Sequence, residues 1–224
     1  MLNSFIFIVL PYAALALLIF VTPYRYLSNR LTWSAYSTQF LERKALYWGI
    51  NPWHYGIIPV LAAHFLGVIA PGPLKTVLGN QTTLIIVESI GLALGLFAVF
   101  GCLALLLRRV NTPILKRVTF ASDWVLLYLL AAQALTGVYI STFMRWGSQW
   151  YLDTAVPYFW SLATFNPQID YMADFPLILK LHAACAFLIV ALVPFTKLVH
   201  LLYIPVDFLK DPPILYRWRS RGGD

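Results

Sequence analysis

The chain has 224 residues, of which 60% are hydrophobic and only 11% charged, and its mean hydropathy is +0.73. A soluble chain needs roughly 25% charged residues to cover its surface, so a fully wetted globular protein is excluded and part of the solvent must be lipid. The net charge of +7 would suggest nucleic acid in a soluble protein; in a membrane chain it reports topology, because basic residues collect on the cytoplasmic side.

Five apolar stretches are long enough to span a bilayer as helices, which takes about 20 residues. They run over about 5–21, 53–70, 84–107, 124–141 and 176–203. The expectation is an all-α, polytopic membrane protein, a single domain over residues 1–224. No Lys or Arg precedes Arg25 and no convincing cleavage site follows, so helix 1 reads as a retained span and not a signal peptide. With the N-terminus outside, thirteen of the sixteen Lys and Arg fall on the inner side. Only Lys75, Arg145 and Lys180 fall outside. This split predicts N-out, C-in insertion in the cytoplasmic membrane.

The connection between helices 4 and 5, about 142–175, carries Trp146, Trp150, Tyr151, Tyr158 and Trp160. Aromatics of this kind favour the headgroup layer, so this segment is expected to lie along the outer interface, with a short helix. The tail after Val206 is basic and contains Pro212 and Pro213; it reads as an irregular surface or partner-binding segment. Cys102 and Cys185 sit in apolar runs with no haem-attachment or zinc spacing, and both read as buried packing thiols.

The four histidines carry the chemistry. His54 and His64 lie on helix 2; His182 and His200 lie on helix 5. Ionisable residues inside membrane helices are costly and mark function by default. Helix 2 runs outward and helix 5 returns, so His54 pairs with His200 near the inner face, and His64 with His182 near the outer face. His54 and His64 are separated by about 15 Å of rise along helix 2, and His182 and His200 by about 27 Å along helix 5. Eighteen residues are five turns, which puts both helix 5 histidines on one face; Pro59 and Pro194 can bend the helices. An iron porphyrin clamped between facing imidazoles fits each pair. Two axial histidines leave no open site on the iron, so such a haem passes electrons. Four ligands spread this widely cannot converge on one zinc ion.

Other residues are candidates beside this frame. Gly91 and Gly95 form G-x-x-x-G on helix 3, read as close helix packing or as room for a porphyrin face. Arg108 and Arg109, at the inner end of helix 3, are positive-inside anchors or partners of inner-haem propionates. Glu88 is the one carboxylate within a span. It is a structural hydrogen-bonding group or a proton acceptor for a quinol oxidised near the outer haem.

The motifs TWSAYSTQFLERK (Thr32–Lys44), HYGIIPVLAAHFLG (His54–Gly67), LLLRR (Leu105–Arg109), KLH (Lys180–His182), PFTKLVH (Pro194–His200) and IPVDFL (Ile204–Leu209) are spread along the chain from Thr32 to Leu209. Together they resemble the gamma (cytochrome b) subunit of membrane-bound respiratory nitrate reductase. The resemblance implies five helices enclosing two b haems, the inner one on His54 and His200 and the outer one on His64 and His182. It also implies quinol oxidation beside the outer haem. Electrons would then pass to an iron–sulfur (beta) subunit and a molybdenum (alpha) subunit that reduces nitrate. One member of the family has a lysine near the start of helix 3 that contacts quinone; residues 76–107 contain none here, and Lys75 is the nearest.

Two rival readings stand beside this one. A related dihaem b subunit of a sulfur-metabolising membrane complex shares the core of the family. A small transporter or an anchor with intramembrane histidines carries no chromophore.

Overall fold

The computed structural model describes residues 2–28, 38, 40–144 and 146–202. Residues 32–37 of the inner-loop motif, Arg145, Tyr203, the IPVDFL segment and the basic tail lie outside the described residues. Among the described residues the structure is all-α, with five helices long and apolar enough to cross a membrane: Leu2–Ser28, Lys44–Ile69, Gln81–Asn111, Ala121–Phe143 and Leu177–Phe195. We call them α1 to α5, with the regular α-helical part of α5 ending at Leu192.

The expected spans are present; the first, third and fourth are longer at both ends, the second starts earlier, and the fifth, Leu177–Phe195, is shorter. α2 starts nine residues before the apolar run because Pro52 lies inside the helix and does not end it. The start of α3 is set by Asn80, whose side-chain oxygen accepts from the N–H groups of Thr82 (3.0 Å) and Thr83 (3.2 Å). An N-cap of this kind satisfies orphan donors of the first turn.

One expectation needs correcting. The shared face of His182 and His200 assumed an unbroken α-helix over 176–203. The α-helix stops at Leu192, tightens into a 3-10 turn over Val193–Phe195, and opens at Thr196 (φ −127°, ψ 179°). A second 3-10 stretch, Lys197–Leu201, carries His200. Proline explains the break: Pro194 has no N–H to give back to the preceding turn, and its ring crowds the carbonyl there. The Thr196 hydroxyl repairs part of the damage by donating to Leu192 O at 2.9 Å.

The main helix contacts run α2–α3, α3–α4, α4–α5 and α5–α1. α2 and α5, which carry all four histidines, are therefore not successive members of this packed row. The tightest seam is α2 on α3. A Cβ added at Gly56 would lie 2.5 Å from Ala98 N, and one at Gly101 would lie 2.3 Å from Trp53 N. Backbones that close require glycine, and small residues are the usual means of close approach in lipid. The G-x-x-x-G of α3 plays a smaller part: Gly95 meets a Val138 methyl at 3.1 Å, while Gly91 faces open space. Cys102 and Cys185 are buried and free, their thiols directed at carbonyls of α4.

The connection between α4 and α5 holds more than one short helix. It forms the helices Gly147–Trp150 and Val156–Ala163, joined by a π-helical turn, and it pins three spans. Pro11 cannot donate to Phe7 O, and the buried Tyr158 hydroxyl does so instead at 2.9 Å. An unsatisfied carbonyl in hydrocarbon would cost several kcal/mol. Trp160 Nε1 donates to Val68 O (3.1 Å) on α2, and Ser148 N–H donates to Glu88 Oε1 (3.1 Å) on α3.

Candidate functional site: facing histidines on two separated helices

The inner pair meets ring to ring. The His54 and His200 ring centres are 6.2 Å apart, with planes inclined by 60°. An imidazole nitrogen binds a metal at about 2.0–2.1 Å, so two rings on opposite sides of one ion have centres about 6.3 Å apart.

The second shell selects the nitrogen. His54 Nδ1 donates to Ile50 O at 2.8 Å, His64 Nδ1 to Val60 O at 2.7 Å, and His200 Nδ1 to Lys197 O at 2.6 Å. A carbonyl can only accept, so Nδ1 carries the proton in all three, and Nε2 keeps its lone pair. Metal-bound histidines commonly tie back their second nitrogen in this way. The donor set is neutral imidazole presented through Nε2, which suits haem iron.

The outer pair is built differently. His64 and His182 are each held by their own surroundings. The Tyr151 ring packs edge-on against the His64 ring (5.3 Å between centres), and its hydroxyl donates to His64 O at 2.9 Å. Burial pushes the Tyr151 phenol up to about 12, so it stays a donor at neutral pH. His182 turns to α4. Its Nδ1 is 2.9 Å from Thr136 Oγ1 and its Nε2 is 3.0 Å from Gln133 Nε2. Gly137 gives it room, since a Cβ there would sit 3.2 Å from His182 Cε1.

Arg108 and Arg109 are committed to other partners. Arg108 is 4% exposed. It donates from Nε to Glu42 Oε2 (2.7 Å), from Nη1 to Thr38 Oγ1 (3.0 Å), and from Nη2 to the carbonyls of Thr38 and Glu42. These contacts make it the clamp that holds the inner 1–2 loop on the end of α3. Arg109 pairs with Asp123 at 3.5 Å and donates to Thr119 Oγ1 at 3.4 Å. Glu88 is half-buried in the outer part of α3, holding the Gly147–Trp150 turn through Ser148.

Sequence reasoning missed the groups around the histidines. Asp123, Gln133, Thr136, Gly137 and Tyr151 are single polar or small residues in apolar or aromatic surroundings. Only the cost of a polar group within a span could have drawn attention to Gln133 and Thr136.

Comparison with known proteins agrees with this architecture. The chain is 31% identical over 216 residues to the nitrate reductase gamma chain of Bacillus subtilis, covering 95% of this chain and 96% of that one. It is 29% identical over 223 residues to the respiratory nitrate reductase 1 gamma chain of Escherichia coli, covering 97% and 98%. Against the nitrate reductase-like protein NarX of Mycobacterium tuberculosis it is 26% identical over 225 residues, which is 98% of this chain but 34% of that longer protein. The family model described as nitrate reductase gamma subunit matches residues 3–219, and the chain belongs to that family.

Proposed function

We propose that this chain is the dihaem membrane subunit of a respiratory nitrate reductase, oxidising quinol at its outer side. It delivers the electrons to an iron–sulfur subunit on the cytoplasmic side, and these continue to a molybdenum subunit that reduces nitrate. The observation that carries the reading is the 6.2 Å spacing of the His54 and His200 rings, each with Nδ1 tied back and Nε2 left to ligate. His54 and His200 would hold the inner haem b, and His64 and His182 the outer one. Haem held between two imidazoles supplies one-electron transfer without an open coordination site. The chain's own residues do the rest. The carbonyls of Ile50, Val60 and Lys197 fix the imidazole tautomers, and Tyr151 braces His64 beneath the outer connection. Glu88, on the outer half of α3, is the carboxylate placed to take a proton released on quinol oxidation. The excess of basic residues on one side supports an N-out, C-in orientation in the cytoplasmic membrane.

The test is spectroscopic. Purified protein should show two b-type haems on reduction, and quinol should reduce them. His54→Ala and His200→Ala should each remove the same haem and spare the other. A folded, colourless preparation, or loss of different haems in the two variants, would overturn the assignment.

A further inference from the structure

Three of the four histidines anchor Nδ1 on a backbone carbonyl within their own helical segment. His182 does not: it is oriented by side chains of α4, and the protons along that contact can be assigned from one end. Ala132 O can only accept. Thr136 Oγ1 lies 2.7 Å from it, and Gln133 O is a second acceptor at 3.1 Å, so the single hydroxyl proton of Thr136 is spent on its own helix. Toward His182 the hydroxyl oxygen must therefore accept, and Nδ1, 2.9 Å away, must carry the proton. His182 Nε2 is then the bare nitrogen. That fixes the orientation of Gln133 as well: its amide nitrogen, at 3.0 Å, donates into the Nε2 lone pair. The cost is visible on the other end of the amide, where Gln133 Oε1 is buried and has no partner.

We propose that Thr136 is the positioning residue of the outer centre, holding His182 in the one tautomer that can ligate through Nε2, with Gln133 as the group that covers this lone pair until iron takes it. The inference rests on the reading of His182 as an axial ligand. Two consequences follow from the chemistry. The Thr136 hydroxyl oxygen is the acceptor at His182 Nδ1, so removing it leaves a buried Nδ1–H unpaired. The basicity of a ligating imidazole depends on what its second nitrogen bonds, so the same loss weakens electron donation to the outer iron alone. Gln133, with an orphaned oxygen in its present position, gives up little when it swings away.

The experiment compares Thr136→Val, which keeps the shape and removes the acceptor, with Thr136→Ser, which keeps the hydroxyl, in the full chain with its partner subunits. Readouts are the ratio of haem to protein, the redox titration of each haem, and the low-spin ferric EPR signal. Thr136→Val should lower outer-haem occupancy, raise the midpoint potential of the outer haem that remains, and shift its EPR signal. The inner haem should be unchanged, which also certifies folding. Thr136→Ser should restore the parent values. Gln133→Leu should retain outer haem at or above the parent level. His182→Ala separates the two failures. If it keeps both haems, the ligand assignment itself is wrong. If it loses the outer haem while Thr136→Val leaves occupancy, potential and EPR as in the parent, the role given to Thr136 is wrong. Should Thr136→Val not assemble, Thr136→Ala is read against Thr136→Ser in the same way.

Discussion

The carboxylate of Asp123, 4% exposed, holds Lys197 Nζ at 3.0 Å, three residues before His200. α5 has already lost its α-helical hydrogen bonding at Pro194, so the segment carrying His200 cannot be positioned by the helix preceding it. It is positioned from its flanks. Arg25 of α1 donates to Pro194 O, Thr196 Oγ1 accepts from Leu198 N–H, and Asp123 of α4 grips Lys197 while also pairing with Arg109 of α3. Removing one partner of a buried ion pair typically costs about 3–5 kcal/mol. Asp123→Asn should therefore loosen His200 and lower inner-haem content more than outer-haem content. Haem quantification with resolved reduced spectra checks it; equal loss of both haems would show general destabilisation instead.

The α2–α3 seam yields a contrast between glycines of the same helix. Gly101→Ala places a methyl 2.3 Å from Trp53 N, adjacent to His54, with no flexible side chain to give way. Overpacking of this kind costs about 1–3 kcal/mol or more, and here it pushes away the helix that bears two of the proposed ligands. Gly91→Ala meets nothing within 4 Å and should leave thermal stability in detergent unchanged. Gly101→Ala should lower the melting temperature and the content of both haems.

How far the sequence could lead is clearest on α2 and α5. Each carries two costly histidines, and that alone pointed to cofactor pairs; in the structure the His54 and His200 rings lie 6.2 Å apart. The break at Pro194 was legible only as a bend, because the 3-10 geometry that follows depends on Thr196, Arg25 and Asp123, which come from distant parts of the chain. Arg108 shows a second limit. Two arginines at the inner end of a span look alike in sequence, and only the folded loop reveals that one is buried under Thr38 and Glu42. The outer connection likewise read as interfacial from its aromatics, while its anchoring by Tyr158 arises from a carbonyl that Pro11, far away in sequence, leaves without its helical donor.

Glu42 makes the inner loop clamp sensitive to acid. Its carboxyl is held below the usual carboxylate range, first by the Ala45 N–H and then by Arg108. A depressed folded-state pKa means that its stabilisation is complete above the unfolded value, about 4.3, and is lost as pH falls through the folded value. Glu42→Gln should lower the melting temperature at pH 7 and have a smaller effect near pH 3. Melting curves of parent and variant in detergent across that range should converge on the acid side; a constant gap would show that charge is irrelevant to the clamp.

A single substitution separates the docking contact of Glu88 from the proton-accepting role proposed for it. As a docking group it accepts the Ser148 N–H at 3.1 Å, and a glutamine carbonyl oxygen can do the same. As a proton acceptor it must be ionisable, which glutamine is not. Glu88→Gln should therefore keep both haems and the folded outer connection while losing quinol turnover, by about 10²-fold if a positioned base contributes its usual share. Glu88→Ala removes both roles and should add a loss of outer-haem content, as the Gly147–Trp150 turn loses its hold on α3. Steady-state quinol oxidation with haem quantification on the three proteins decides the matter: parent-like rates and pH dependence in Glu88→Gln would leave Glu88 with docking as its only function, and the proton would have to leave by another route.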